Sequence, residues 1–75
     1  MNISDIMIHI NETLSEEARI ALEDTIRKVE GVVSPRFNAG KNHLLLIAYD
    51  SDKVKATVLL EKARAAGYGA QLVGM

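Results

Sequence analysis

The 75-residue chain has no cysteine, a single proline, few glycines and no surplus of either charge, with nine Lys and Arg against ten Asp and Glu. The missing cysteine excludes disulfides, thiol nucleophiles, Fe–S clusters and Cys-based zinc sites, and fits a reducing compartment, so the cytoplasm is the expected location. A formal charge of −1 creates no overall field to draw the chain onto nucleic acid or an anionic bilayer, and neither is expected as a partner. Met1-Asn2-Ile3-Ser4-Asp5 carries no basic segment. The longest apolar run, Leu44 to Tyr49, is far too short to span a membrane, so a soluble, unprocessed protein is expected. No low-complexity tract is present. With 48% hydrophobic residues, one domain over residues 1–75 is expected, built on one small core whose net contribution is only a few kcal/mol. Further stability must come from packing or self-association.

What is there is periodic. Ile6, Ile8 and Ile10 alternate with Met7 and His9, the pattern of a strand. Thr13 or Ser15 is placed to cap a following helix, Thr13 and Glu16 stand at capping-box spacing, and Glu16 and Glu17 complement the helix's positive end. From Ser15 to Glu30 the residues Ala18, Leu22, Ile26 and Val29 recur at helical intervals until Gly31. Val32 to Asn38 is a strand. Pro35, which has no N–H to donate, assigns it to a sheet edge. Ala39-Gly40-Lys41-Asn42 turns the chain into a strand from His43 to Tyr49, apolar on both faces and therefore central. Asp50-Ser51-Asp52 offers a cap for an Ala-rich helix from Lys53 to Ala66, with Ala56, Leu59, Leu60, Ala63 and Ala66 on its buried side and Gly67 ending it. Ala70 to Val73 is the last strand. The order βαββαβ in so few residues, with short connections and right-handed crossovers, defines an α+β ferredoxin-like sandwich: a four-stranded antiparallel sheet of order 4-1-3-2 with two helices on one face.

Chemistry-bearing residues are sparse. Ser4, Ser15, Ser34 and Ser51 lie in terminal, capping or turn contexts and neither histidine is placed to activate one, so no enzyme is expected. Gly67-Tyr68-Gly69 follows a helix instead of preceding one and reads as a turn, not a phosphate loop. His9 and His43 lie on adjacent strands, with Met7 as a weak third donor. A weak metal site through this pair is an alternative to solvated or interface histidines, and no cofactor is expected. Lys53, Lys55, Lys62 and Arg64 make the second helix basic where the first begins acidic, which is a solvated face or a means of electrostatic docking.

Several short motifs occur in order: Ile6, Ile8 and Ile10, then Leu22, Ile26 and Val29 before Gly31-Val32, then Phe37-Asn38, Tyr49-Asp50 and Gly67-Tyr68-Gly69-Ala70. Together they resemble the heavy-metal-associated domain of copper chaperones, metal-transporting P-type ATPases and mercury-binding proteins. The resemblance covers nearly the whole chain, with one extra residue in the turn around Gly40. It implies a metal loop of the pattern Gly-Met-Thr-Cys-x-x-Cys, whose paired thiolates bind soft ions such as Cu(I). Here that loop is Glu12-Thr13-Leu14-Ser15-Glu16-Glu17-Ala18. The two cysteine positions are Ser15 and Ala18, so metal binding does not carry over. A hard-ion site from Glu12, Glu16 and Glu17 is disfavoured because consecutive helical positions diverge. In the resembling family the aromatic at Tyr68 packs beside the metal loop; here it is expected to fill the core or shield the cap.

The sheet face away from the helices carries Met7, Leu44, Leu46 and Ala48, with His9 beside them and Leu72 as a further candidate. An apolar patch of this kind usually meets something. These residues are the expected partner-binding surface, for another protein or for self-association. The function expected is a non-catalytic interaction module, accessory to a metal-handling system or a homodimer. The alternative is an ACT-like regulatory domain for a small ligand, although no glycine-bearing loop follows the first strand.

Overall fold

Branched side chains on alternate positions need a surface to cover them, and in the computed structural model, which describes residues 1–38 and 40–73, they find it on one side of the sheet. Strand β1 spans Ile3–Ile10, helix α1 Glu16–Arg27, β2 Val32–Asn38, β3 Lys41–Asp50, α2 Ala56–Ala65 and β4 Ala70–Leu72. All neighbouring strands are antiparallel in the order β2-β3-β1-β4, the topology expected from the sequence, with the Pro35 strand at the edge. Ile6 lies opposite Ile47, and Ile8 opposite Leu45. These four, with Ile10, form the floor on which Leu22 and Ile26 of α1 and Leu59, Leu60 and Ala63 of α2 pack.

Several boundaries differ from expectation, each for a physical reason. β1 begins at Ile3 because Ile3, Ser4 and Asp5 pair with Asp50, Tyr49 and Ala48. Lys41 and Asn42 belong to β3 and not to the preceding turn, while Ala39, the first residue of that turn, lies outside the described residues. α1 stops at Arg27; the Val29 N–H turns back to the Ile26 carbonyl at 3.0 Å, and Gly31 takes a positive φ of 98°. A side chain there would meet Lys53 Cβ at 2.9 Å. α2 begins three residues later than expected, without a side-chain cap, and Ala66 is exposed.

Asp50 explains the late start. Its carbonyl accepts from the N–H groups of Lys53 (3.0 Å) and Val54 (3.1 Å), while its carboxylate Oδ1 accepts from those of Asn2 (3.2 Å) and Asp52 (3.0 Å). The residues proposed as a helix cap are thus spent on a turn that ties the N-terminus to the end of β3. Asp50 is buried, yet the Asn2 N–H, followed by that of Asp52, holds its carboxyl below the ordinary 3.8. A depressed folded-state value gives stability that is complete above the unfolded value of about 3.9 and is lost as pH falls through the folded one. Thermal melts are therefore expected to decline on acidification below about pH 4, and Asp50→Asn to flatten this decline while lowering the melting temperature at neutral pH. An unchanged acid limb in the variant refutes the assignment.

Both sheet edges are blunted. On β2, Pro35 has no N–H, and the N–H of Phe37 donates to Glu23 Oε2 of α1 at 2.8 Å. On β4, Asn11 N–H to the Gly69 carbonyl and Val73 N–H to the Met7 carbonyl set the pairing phase, so the backbone N–H and C=O groups of Ala70 and Leu72 point away from β1 along the sheet edge. Arg64 Nε covers the Ala70 carbonyl at 3.0 Å. A strand only three residues long and covered in part offers little template for an added strand. Among the described residues no helix is long and apolar enough to cross a membrane.

Candidate functional site

Two regions are candidates: the loop joining β1 to α1, and the sheet face opposite the helices. In the loop, Ser15 and not Thr13 is the N-cap, so the capping-box pair does not form. Ser15 Oγ accepts the Ala18 N–H at 3.1 Å. The two positions that would hold thiolates are therefore bonded to one another through a hydroxyl and a backbone amide. Glu16 and Glu17 occupy the first turn. Arg19 Nη1 donates to the Leu14 carbonyl at 2.7 Å, and the Leu14 side chain is buried in the core. Ser15→Ala leaves the Ala18 N–H without its partner and is expected to lower stability by about 1 kcal/mol, read as a drop of roughly 4–8 °C in melting temperature.

The loop is also fastened from the other side. Glu12 receives the Gly69 N–H on both carboxylate oxygens, at 3.0 and 3.2 Å, while the Asn11 N–H donates to the Gly69 carbonyl at 2.8 Å. A β-carbon on Gly69 would come within 2.7 Å of Asn11 Nδ2, so glycine is what allows this approach. Tyr68, next to it, is partly buried and packs against the core. Nothing local in the sequence signals this clasp, because its partners are 57 residues apart. Leu14 left a fainter mark: one apolar residue in an otherwise polar stretch.

His9 and His43 do come together, although His9 lies opposite Leu44 and not opposite His43. Their rings stack with centroids 5.6 Å apart and planes 13° apart. His43 Nδ1 lies 2.7 Å from the Ile10 carbonyl, while His9 Nδ1 lies 3.2 Å from Asn11 Oδ1 and 2.9 Å from Gln71 Nε2. A metal ion must sit in the plane of each imidazole that ligates it. Stacked, nearly parallel planes do not meet near the rings, so this arrangement does not converge on one ion. Among the described residues no group of three or more His, Cys, Asp or Glu side chains gathers for a metal.

On the open face, Arg36, Leu46 and Met7 lie side by side across β2, β3 and β1, as do Ser34, Ala48 and Asp5 one step along, with Leu44 opposite His9 at the other end. Met7, Leu44, Leu46 and Ala48 are half-buried, whereas Asp5 and Arg36 are exposed. Leu46, Ala48, Ser34, Asp5 and Arg36 line a shallow depression of about 190 Å³. Leu72 does not belong here. Pairing of Ala70 with Ile10 and of Leu72 with Ile8 puts Leu72 on the helix-covered side and Gln71 on the open face. Of the basic residues on the second helix, Lys53 and Lys55 precede α2, and Arg64 is engaged by Glu61 and the Ala70 carbonyl.

No protein-family model matches the sequence, and no curated protein matches it. Solved structures do. Oxidized MerP from Ralstonia metallidurans CH34 matches with a TM-score of 0.84 at 18% identity, over 96% of this chain and 99% of that one. The Cu(I)-loaded N-terminal domain of a potential copper-translocating P-type ATPase from Bacillus subtilis gives 0.84 at 19% identity, over 96% and 89%. The CopZ metallochaperone gives 0.78 at 20%, over 93% and 100%. These neighbours are heavy-metal-associated domains, and the likeness establishes that this cysteine-free chain has their fold.

Proposed function

We propose that residues 1–75 act as one non-catalytic interaction module that has kept the scaffold of a metal-carrying domain without its thiolate chemistry. It works in the cytoplasm, takes no cofactor and no nucleic acid, and meets a protein partner or a second copy of itself through Met7, His9, Leu44, Leu46 and Ala48. The observation that carries this reading is the Ser15 hydroxyl on the Ala18 N–H, 3.1 Å long, at the two positions where the resembling family places its cysteines. A hydroxyl and a methyl do not bind a soft cation as thiolates do. The apolar open face supports protein contact as what remains, since an uncovered sheet surface of this character is characteristic of interaction sites.

The test is a photoreactive phenylalanine analogue placed at Leu46 and, as a control, at the exposed Ile20 of α1. Irradiation in cells of the source organism is expected to give discrete adducts from position 46 and none from position 20. Absence of adducts at 46 overturns the docking reading. Independently, the unmodified chain is expected to bind Cu(I) and Zn(II) no more tightly than micromolar, and nanomolar, stoichiometric binding in a competition titration overturns the loss of metal transport.

A further inference from the structure

Resting on that reading of the open face, we propose that its occupant is a second copy of this chain, docked face to face about a two-fold axis that crosses the depression between Leu46 and Ala48. The placement of charge on this face favours a second copy. Asp5 on β1 and Arg36 on β2 flank the apolar centre at opposite corners, separated by β3 and by one step along the strands. Strand spacing puts them roughly 12 Å apart, too far to pair within one chain. Both are exposed, and no ion pair among the described residues involves either.

The midpoint between them falls between Leu46 and Ala48. An axis through that point, lying in the interface plane, sets Asp5 of each copy against Arg36 of the other and brings Met7 over the partner copy's Leu46. One symmetric contact thus closes two ion pairs around a shared apolar centre, which is the self-complementarity an isologous interface requires. A net charge of −1 adds little repulsion between copies. With β2 blocked by Pro35 and Glu23 and β4 partly covered by Arg64, pairing of edge strands does not compete. Four strands about 4.8 Å apart, with seven residues in β2 at about 3.3 Å each, give a face of roughly 20 by 23 Å, about 460 Å², less than the ~800 Å² per partner of a standard interface. The association is therefore weak, with a dissociation constant between about 10 µM and 1 mM.

Sedimentation equilibrium of the full chain across that range is expected to show a monomer–dimer equilibrium. Arg36→Asp alone and Asp5→Arg alone are each expected to raise the dissociation constant about tenfold or more. The doubly swapped chain is expected to return to the wild-type value, which also shows that the swapped side chains leave the fold intact. A wild-type chain that stays monomeric at about 1 mM, or a double swap no tighter than the single variants, overturns the proposal. The cross-link at position 46 separates the two readings. An adduct at twice the 8.2 kDa of the chain supports the second copy. An adduct of another mass overturns the second copy and leaves the docking face standing, and no adduct removes both.

Discussion

Ser15→Cys combined with Ala18→Cys is expected to turn the chain into a Cu(I) binder, tightening affinity by roughly a thousandfold or more over the unmodified protein. The scaffold already meets the conditions. Position 15 is the N-cap and position 18 lies three residues on, in the first turn, with Ser15 Oγ 3.1 Å from the Ala18 nitrogen. Two sulfurs placed there lie at one end of the helix, where its dipole favours thiolate over thiol. Glu16 and Glu17 oppose this by repelling the developing anions. Neutralising them with Glu16→Gln and Glu17→Gln is therefore expected to tighten binding further. Competition against a chromophoric Cu(I) chelator measures both steps. If the cysteine pair binds no more tightly than the natural sequence, loss of the sulfurs is not what separates this loop from a metal site.

Truncating Ile47 to alanine is expected to take away a large share of the folding stability. Ile47 is fully buried on the central strand, with Ile6 opposite it on one side and the buried Pro35 on the other. Removing a branched side chain from such a position costs about 2–5 kcal/mol, counting both lost burial and the cavity left behind. A chain of this length has only about 4–11 kcal/mol in total. At roughly 4–8 °C per kcal/mol, the melting temperature is expected to fall by about 10 °C or more. Thermal unfolding followed by circular dichroism checks this. A loss below about 1 kcal/mol contradicts the packing described for β3.

How far the sequence reaches is clear from individual residues. Pro35 and the doubly apolar run from Leu44 to Ala48 place β2 at an edge and β3 in the middle, because a missing N–H and two buried faces are local properties. The helix faces built on Leu22 and Ile26, and on Leu59, Leu60 and Ala63, follow from periodicity in the same way. The turn at Asp50 was not legible as such, because its carboxylate is claimed by Asn2, 48 residues away, and an aspartate before a helix looks like a cap until that partner is known. Leu72, only a further candidate for the open face, lies on the other one, because parity in a three-residue strand depends on which residue first meets β1. The resemblance identified Ser15 and Ala18 as the altered positions. Only the three-dimensional arrangement shows that they bond to each other, and that Asp5 and Arg36 stand diagonally across the apolar centre.

Glu12 and its grip on the Gly69 N–H have one more consequence. An ion seated in such a loop would act as a removable rivet, present or absent according to supply. A carboxylate belonging to the chain is permanent. Its hold fixes the β1–α1 turn from within the chain, so the shape of this end of the molecule does not depend on the supply of any ion.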